Sequence, residues 1–246
     1  MTIAHDAATE SHTGTTGWTT SPNPFTFNHT PVGTPRGVLL FCFINANEST
    51  AFPSASYGGV AMSAVVGGEA VDTSGEPGRC KTFFLGSGIL TGTRTVSITH
   101  NASSAVKYAV VMTMTAAANT IQVGTIVLFQ SDGTLTEQNV NSGTQVAIRY
   151  AGINSGLSAV PNAGPNSTVL HGIDFGSRVN RVVRETTVGA GNRPVGFTTS
   201  TADDRAAVHL AVTEVPPPNL PNPFEPIALV EAAVVLLPQL NITVDN

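Results

Sequence analysis

Sixteen acidic residues and six histidines carry most of the chemistry open to this chain of 246 residues. A glycoside hydrolase needs two carboxylates facing each other across a cleft. On a single strand such a pair would stand at i and i+2, and no acidic residue here has an acidic partner at that spacing. Glu69 and Asp72 fall in a Gly-rich loop, and Asp203-Asp204 reads as a turn. Pairs drawn from separate strands stay open, but nothing in the sequence selects one. Among His5, His12, His29, His100, His171 and His209 there is no HxH or HxxxH spacing, so a dedicated zinc site has no support. His209 stands on the opposite face from Val208, Leu210 and Val212 and reads as a surface or sheet-edge histidine. Asp174, Asp203 and Asp204 offer loop oxygens of the kind calcium takes, yet turn-forming aspartates explain them equally, and the turn reading is preferred. Gly86–Gly88 and Gly189–Gly191 follow strands but precede no helix, so neither is a phosphate-cradling loop. No catalytic residue, metal or cofactor is therefore expected.

The elements that would have to position any site are strands. Thr93–His100 alternates, with Val96 and Ile98 on one face, and Lys107–Thr115 follows with Tyr108, Val110, Met112 and Met114 on one face. Gly37–Ile44 (GVLLFCFI) is apolar without alternation, the pattern of a central strand buried on both sides. Ser56–Val66 reads as a hairpin turning at Gly58-Gly59, a pair that supplies positive φ. Thr82–Leu85, Phe25–His29, Ile121–Gln130, Gln145–Ile153, Thr168–Phe175, Arg178–Thr186, Arg193–Thr199 and Arg205–Val215 are further strands. Gly67–Gly78 and Asn154–Asn166 read as loops. No helix-period segment precedes residue 216. So many short strands predict an all-β, two-sheet antiparallel β-sandwich, with Val38, Leu40, Val96, Ile98, Val110, Met112, Val208 and Leu210 buried between the sheets.

Three regions follow: residues 1–22 as an extended arm or weak edge strand with Trp18 as an anchor, residues 23–215 as the sandwich, and residues 216–246 as a C-terminal arm. Pro216–Pro226 holds six prolines and reads as a stiff, extended linker. Beyond it, Ile227–Leu237 is apolar apart from Glu231. Such a segment must be buried, on its own domain or on a neighbouring subunit. The interface residues expected are Ile227, Leu229, Val230, Val234, Val235, Leu236 and Leu237.

Only 11% of the residues are charged, against roughly 25% in an average globular chain. Thr, Ser, Asn and Gly must cover the surface, which suits a protein that ends packed in an assembly, including one with copies of itself. Two lysines and scattered arginines form no basic patch, so nucleic acid is not an expected partner. No apolar run is long enough to span a bilayer, and the polar N-terminus has no apolar signal region, so no membrane is expected and synthesis in a cytoplasm is. Cys42 and Cys80 lie in apolar runs and read as buried small hydrophobes rather than a disulfide.

The runs HTPVGTPRGVLLFCFI, SYGGVAMSAV, FFLGSGILTGTRTVSITHN and AVVMTMTAA, with VAIRYAGINSG and RPVGFTTSTADDRAAVHLAVTEV, give a resemblance. Together they resemble jelly-roll, concanavalin-like β-sandwich modules found in phage virion proteins and in bacterial surface proteins. The resemblance covers roughly residues 20–215, implies a jelly-roll-like fold, and transfers no catalytic residue. It implies a virion structural protein made in the host cytoplasm: a capsid decoration protein, or a tail or head-fibre component. Its partners would be the major capsid protein or tail proteins. A carbohydrate-binding or adhesion module is the rival. That rival needs exposed aromatics, and aromatic residues are 6% of the chain.

Overall fold

The structure, a computed structural model, describes residues 3–12, 23–45, 51–72, 78–101, 107–117, 120–157, 160–175 and 178–215. The chain clusters into two units, Met1–Pro216 and Pro217–Asn246. The second, with Ile227–Leu237 and the rest of the predicted arm, lies outside the described residues, as does Trp18.

Seventeen strands and no helix make up the described residues. In chain order these are β1 (Ala4–Glu10), β2 (Phe25–His29), β3 (Gly37–Ile44), β4 (Ser54–Tyr57), β5 (Val60–Asp72), β6 (Gly78–Leu85), β7 (Arg94–Thr99) and β8 (Lys107–Thr115). They continue with β9 (Ile121–Gln130), β10 (Gln138–Asn141), β11 (Ala147–Gly156), β12 (Asn162–Ala163), β13 (Ser167–Phe175) and β14 (Arg178–Glu185). The last three are β15 (Asn192–Val195), β16 (Phe197–Thr198) and β17 (Arg205–Glu214). The first eight form one sheet in the order β1-β8-β3-β6-β5-β4-β7-β2, and a five-stranded sheet runs β13-β14-β11-β17-β9. Two short pairs, β10-β15 and β12-β16, complete the set, and every pairing is antiparallel. The fold is all-β, as the strand pattern predicts.

The expected single core is three cores. The eight-stranded sheet bends so that β2, β4 and β7 face β3, β6 and β8, and Val38, Leu40, Val96 and Ile98 meet inside that roll. The outer face of β3 and β8 packs on the five-stranded sheet, where Val110 and Met112 meet Val208 and Leu210. The far face of the five-stranded sheet forms a third core with Leu135, Val140, Val195 and Phe197 from the connections that cover it. All eight predicted core residues are buried, but they divide four and four between two cores. The reason is that β3, β11 and β17 are buried along their whole length, and β8 along all but its last residue. Each of these strands sends alternate side chains to opposite layers, as pleating requires. Cys42 and Cys80 are free and buried, and belong to different cores, in agreement with the reading as small hydrophobes.

Other expectations shift at their boundaries. Gly58 and Gly59 turn the β4–β5 hairpin with φ of 57° and 83°, as the Gly-Gly pair predicts. The predicted loop Gly67–Gly78 is instead strand up to Asp72: β5 resumes pairing with β6 at Glu69, after arching out between Ala64 and Glu69. The predicted loop Asn154–Asn166 begins inside β11, which continues through Gly156, and contains β12. Of the N-terminal region, Ala4–Glu10 is the edge strand, paired with β8 over most of its length.

Candidate functional site

The folded unit brings together polar groups that the linear spacing leaves apart. The first group is Asp72, Asp132 and Asp204, one carboxylate oxygen from each lying within 4.8 Å of the others. Asp72 ends β5, Asp132 follows β9 and Asp204 precedes β17, so the convergence is a product of strand ends meeting at one end of the fold. Asp204 was expected in a turn; its gathering with Asp72 and Asp132 has no counterpart in their spacing. Arginines surround this end. The buried Arg178 guanidinium donates to the Asp204 carbonyl (3.1 Å), and Arg205 donates to the carbonyls of Gly133, Asp203 and Thr201. Asp174, the third calcium candidate, lies elsewhere and pairs with Arg181 at 3.2 Å.

The second group is a buried ion pair. Arg149 on β11 sits 3.1 Å from Glu185 at the end of β14, with side-chain exposures of 0% and 2%. Every arm of the guanidinium is used: Nε donates to Val140 O, Nη1 to Glu185 and Gly189 O, and Nη2 to Ser142 Oγ and Gly191 O. The Arg149 amide also donates to Glu185 Oε1 at 2.8 Å. Burial pushes the Glu185 carboxyl above its usual range, against the opposing pull of Arg149. This cation ties the loops beyond β10 and β14 to the sheet. A charged residue between buried neighbours in AIRYA was the available sequence signal.

The third group surrounds β1. Asp6 accepts from the amides of Gly33 (2.7 Å) and Val32 (3.2 Å) and from Thr113 Oγ1 (2.8 Å). Thr113 has one hydroxyl hydrogen and gives it to Asp6. The His29 Nε2 contact with Thr113 (3.2 Å) therefore requires a proton on Nε2, which leaves Nδ1 to accept from Thr9 Oγ1 at 2.8 Å. On the opposite side His5 Nδ1 meets Tyr150 Oη (3.1 Å), and Glu10 accepts from Tyr108 Oη (2.5 Å) and lies 3.7 Å from His171 Nδ1.

His209 corrects the sequence reading. It is fully buried in β17, between β11 and β9, rather than at a surface or edge. Its Nδ1 contacts Val127 O at 3.3 Å, and Gly196 leaves it room: a Cβ there would stand 2.7 Å from Nε2. Desolvation lowers its pKa from 6.5 to about 4, the Val127 contact opposing the shift. The face opposite Val208 and Leu210 is buried because the third core lies behind it, a layer that β17's own pattern does not reveal.

A groove of about 250 Å³ runs between the β5 arch and β9, lined by Ser63, Ala64, Val65, Val66, Phe84, Val123, Gly124 and Ile126, and holds no ionisable side chain. A crevice of about 40 Å³ at Asn166, Glu185, Thr186, Thr187, Arg193 and Pro194 is close to the size of a single water. Among the described residues no helix is long and apolar enough to cross a membrane. The predicted interface residues Ile227, Leu229, Val230, Val234, Val235, Leu236 and Leu237 lie outside the described residues. No family model, curated protein or solved structure matches the chain.

Proposed function

We propose that this chain is a non-enzymatic structural protein of a tailed-phage virion, a capsid decoration or cement protein that stabilises the assembled shell through contacts between subunits. One observation carries the reading: a surface poor in charge. Charged residues are already 11% of the sequence, and Asp72, Arg79, Lys107, Arg149, Arg178, Glu185, Arg205 and Glu214 are buried. What remains outside is largely hydroxyl, amide and glycine surface, which buries against a neighbour at little desolvation cost compared with charge. Binding only to the assembled lattice would stabilise that lattice by mass action.

The carbohydrate-binding reading is weakened by the burial of Tyr57, Tyr108 and Tyr150, which removes the tyrosines as platforms for sugar rings. A tail or head-fibre location follows from the same surface chemistry. Mass spectrometry of gradient-purified particles, with antibody labelling on the intact virion, tests the reading. Label on the outer face of the head is the expected result, and label on the tail would move the protein to the fibre. Absence from particles overturns the proposal.

A further inference from the structure

The attachment of β1 differs in kind from that of the other strands. Only Ile3, just before it, and Ala8 reach the apolar core from this segment. β8, its one hydrogen-bonded neighbour strand among the described residues, also pairs with β3, so the sheet keeps β8 whether or not β1 is present. Beyond the ladder, β1 is held by side chains whose charge depends on pH, on both faces.

On one face Asp6 and Thr9 engage His29 and Thr113, with Tyr57 packed against the His29 ring. On the other, His5 and Glu10 engage Tyr150, Tyr108 and His171, and Arg184 of β14 lies near enough to His5 to repel its charged form. Asp6 favours the charged form of both His5 and His29. Burial and Arg184 outweigh that pull at His5, and burial outweighs it at His29. Charging His5 places a cation beside Arg184, His29 and His171, each of which disfavours it. Protonation of His29 also puts a hydrogen on Nδ1, where it now accepts from Thr9, so that bond must invert.

We propose that β1 is an acid-released strand, leaving the edge of the eight-stranded sheet at low pH while the rest of the fold persists and uncovering the β8 edge. Burial lowers the pKa of His5 and of His29 from 6.5 to about 4 in the closed strand, which supports the same direction. A freed histidine regains its ordinary affinity for protons. His5 leaves with β1 and so favours release by up to about tenfold per pH unit between 6.5 and 4, while His29 stays in β2 and contributes only through the cover that β1 takes away. An uncovered β8 edge presents unpaired backbone groups able to pair with another strand.

Hydrogen exchange on the full chain at pH 7 and pH 4.5, corrected for intrinsic rates, is the test. Peptides spanning Ala4–Glu10 should lose protection at least tenfold at pH 4.5, while Arg205–Glu214 keeps its protection. Retention of protection in β1, or its loss in step with β17, overturns the proposal. A His5→Gln/His29→Gln variant, which cannot take up those charges, should release β1 at a pH at least half a unit lower. If that pair does not fold at pH 7, His5→Gln alone should move the midpoint in the same direction, since its ring is only half-buried. An unchanged midpoint in the folded variant overturns the histidine mechanism.

Discussion

Arg149 and Glu185 form a buried ion pair at which the fold is sensitive to single substitutions. Replacing Arg149 leaves the desolvated Glu185 carboxylate with only Arg193, 3.5 Å away, and replacing Glu185 leaves a buried guanidinium without its carboxylate; losing one member of a buried pair costs about 3–5 kcal/mol. Arg149→Met should therefore lower the denaturation midpoint far more than a surface arginine change, and Arg149→Met/Glu185→Leu should recover part of the loss. An additive double-mutant cycle would show that the two residues do not act together. His209 makes a separate prediction about pH. Its folded pKa of about 4 lies below the unfolded value of 6.5, so the unfolded chain takes up the proton first. Its contribution is complete above pH 6.5, is lost as pH falls toward 4, and amounts to about 3 kcal/mol. His209→Gln should flatten the stability–pH profile in that window relative to the native chain; parallel profiles would mean that His209 does not titrate there. Ile98, buried in the roll, belongs to the aliphatic class for which truncation to Ala costs about 2–5 kcal/mol. A midpoint shift no larger than that of a surface change would place Ile98 outside the core.

At the scale of elements, close approach of β3 to β11 fixes how the two large sheets meet. A Cβ on Gly152 would stand 2.3 Å from Phe41 Cδ1, so Gly152→Ala must displace a ring packed in the core between the two large sheets. Overpacking of this kind costs about 1–3 kcal/mol, and Phe41→Leu in the same chain should relieve part of it. Equal destabilisation with and without the Phe41 change would locate the strain elsewhere. The strands β3, β8 and β17 were legible because their side chains are apolar in a sustained way, and β7 because it alternates. The continuous run GVLLFCFI even announces burial on both faces, though not that two different cores supply it. The strand β1 was nearly invisible, since AHDAATE has neither period; its order comes from Asp6, Thr9 and Glu10 meeting partners 20 to 107 residues away. The end of β5 was misread for a related reason: Gly67 and Gly68 belong to an arch, after which Glu69 pairs again opposite Lys81. The Asp72, Asp132 and Asp204 cluster and the Arg149–Glu185 pair depend on how strand ends converge. No local spacing encodes that convergence.

At the scale of the whole molecule, the ladder closes before the proline-rich region begins. β17 ends at Glu214, and the Val215 amide donates to Thr120 O at 3.0 Å, giving the five-stranded sheet its last backbone bond beyond the strand. Among the described residues, the three cores draw on none later than Val212. A chain ending at Val215 should therefore fold with near-native stability. The segment Ile227–Leu237 has Glu231 as its sole charge and is otherwise Ile, Leu, Val and Ala. Left in water, it would form an apolar patch of the kind monomers avoid. An extended proline-rich stretch advances about 3.1 Å per residue, so Pro216–Pro226 can span on the order of 30 Å, about the width of a small domain. The expected outcome is that truncation at Val215 preserves the denaturation midpoint but abolishes oligomerisation by light scattering and incorporation into particles. Incorporation at the full-length level would make the segment dispensable for assembly, and an unfolded truncation would mean that it completes the fold. A sharper version keeps the full length and changes only surface character. Val234→Asp/Leu236→Asp should reproduce the assembly defect without moving the midpoint if the segment is buried between subunits, because the added charges oppose that burial.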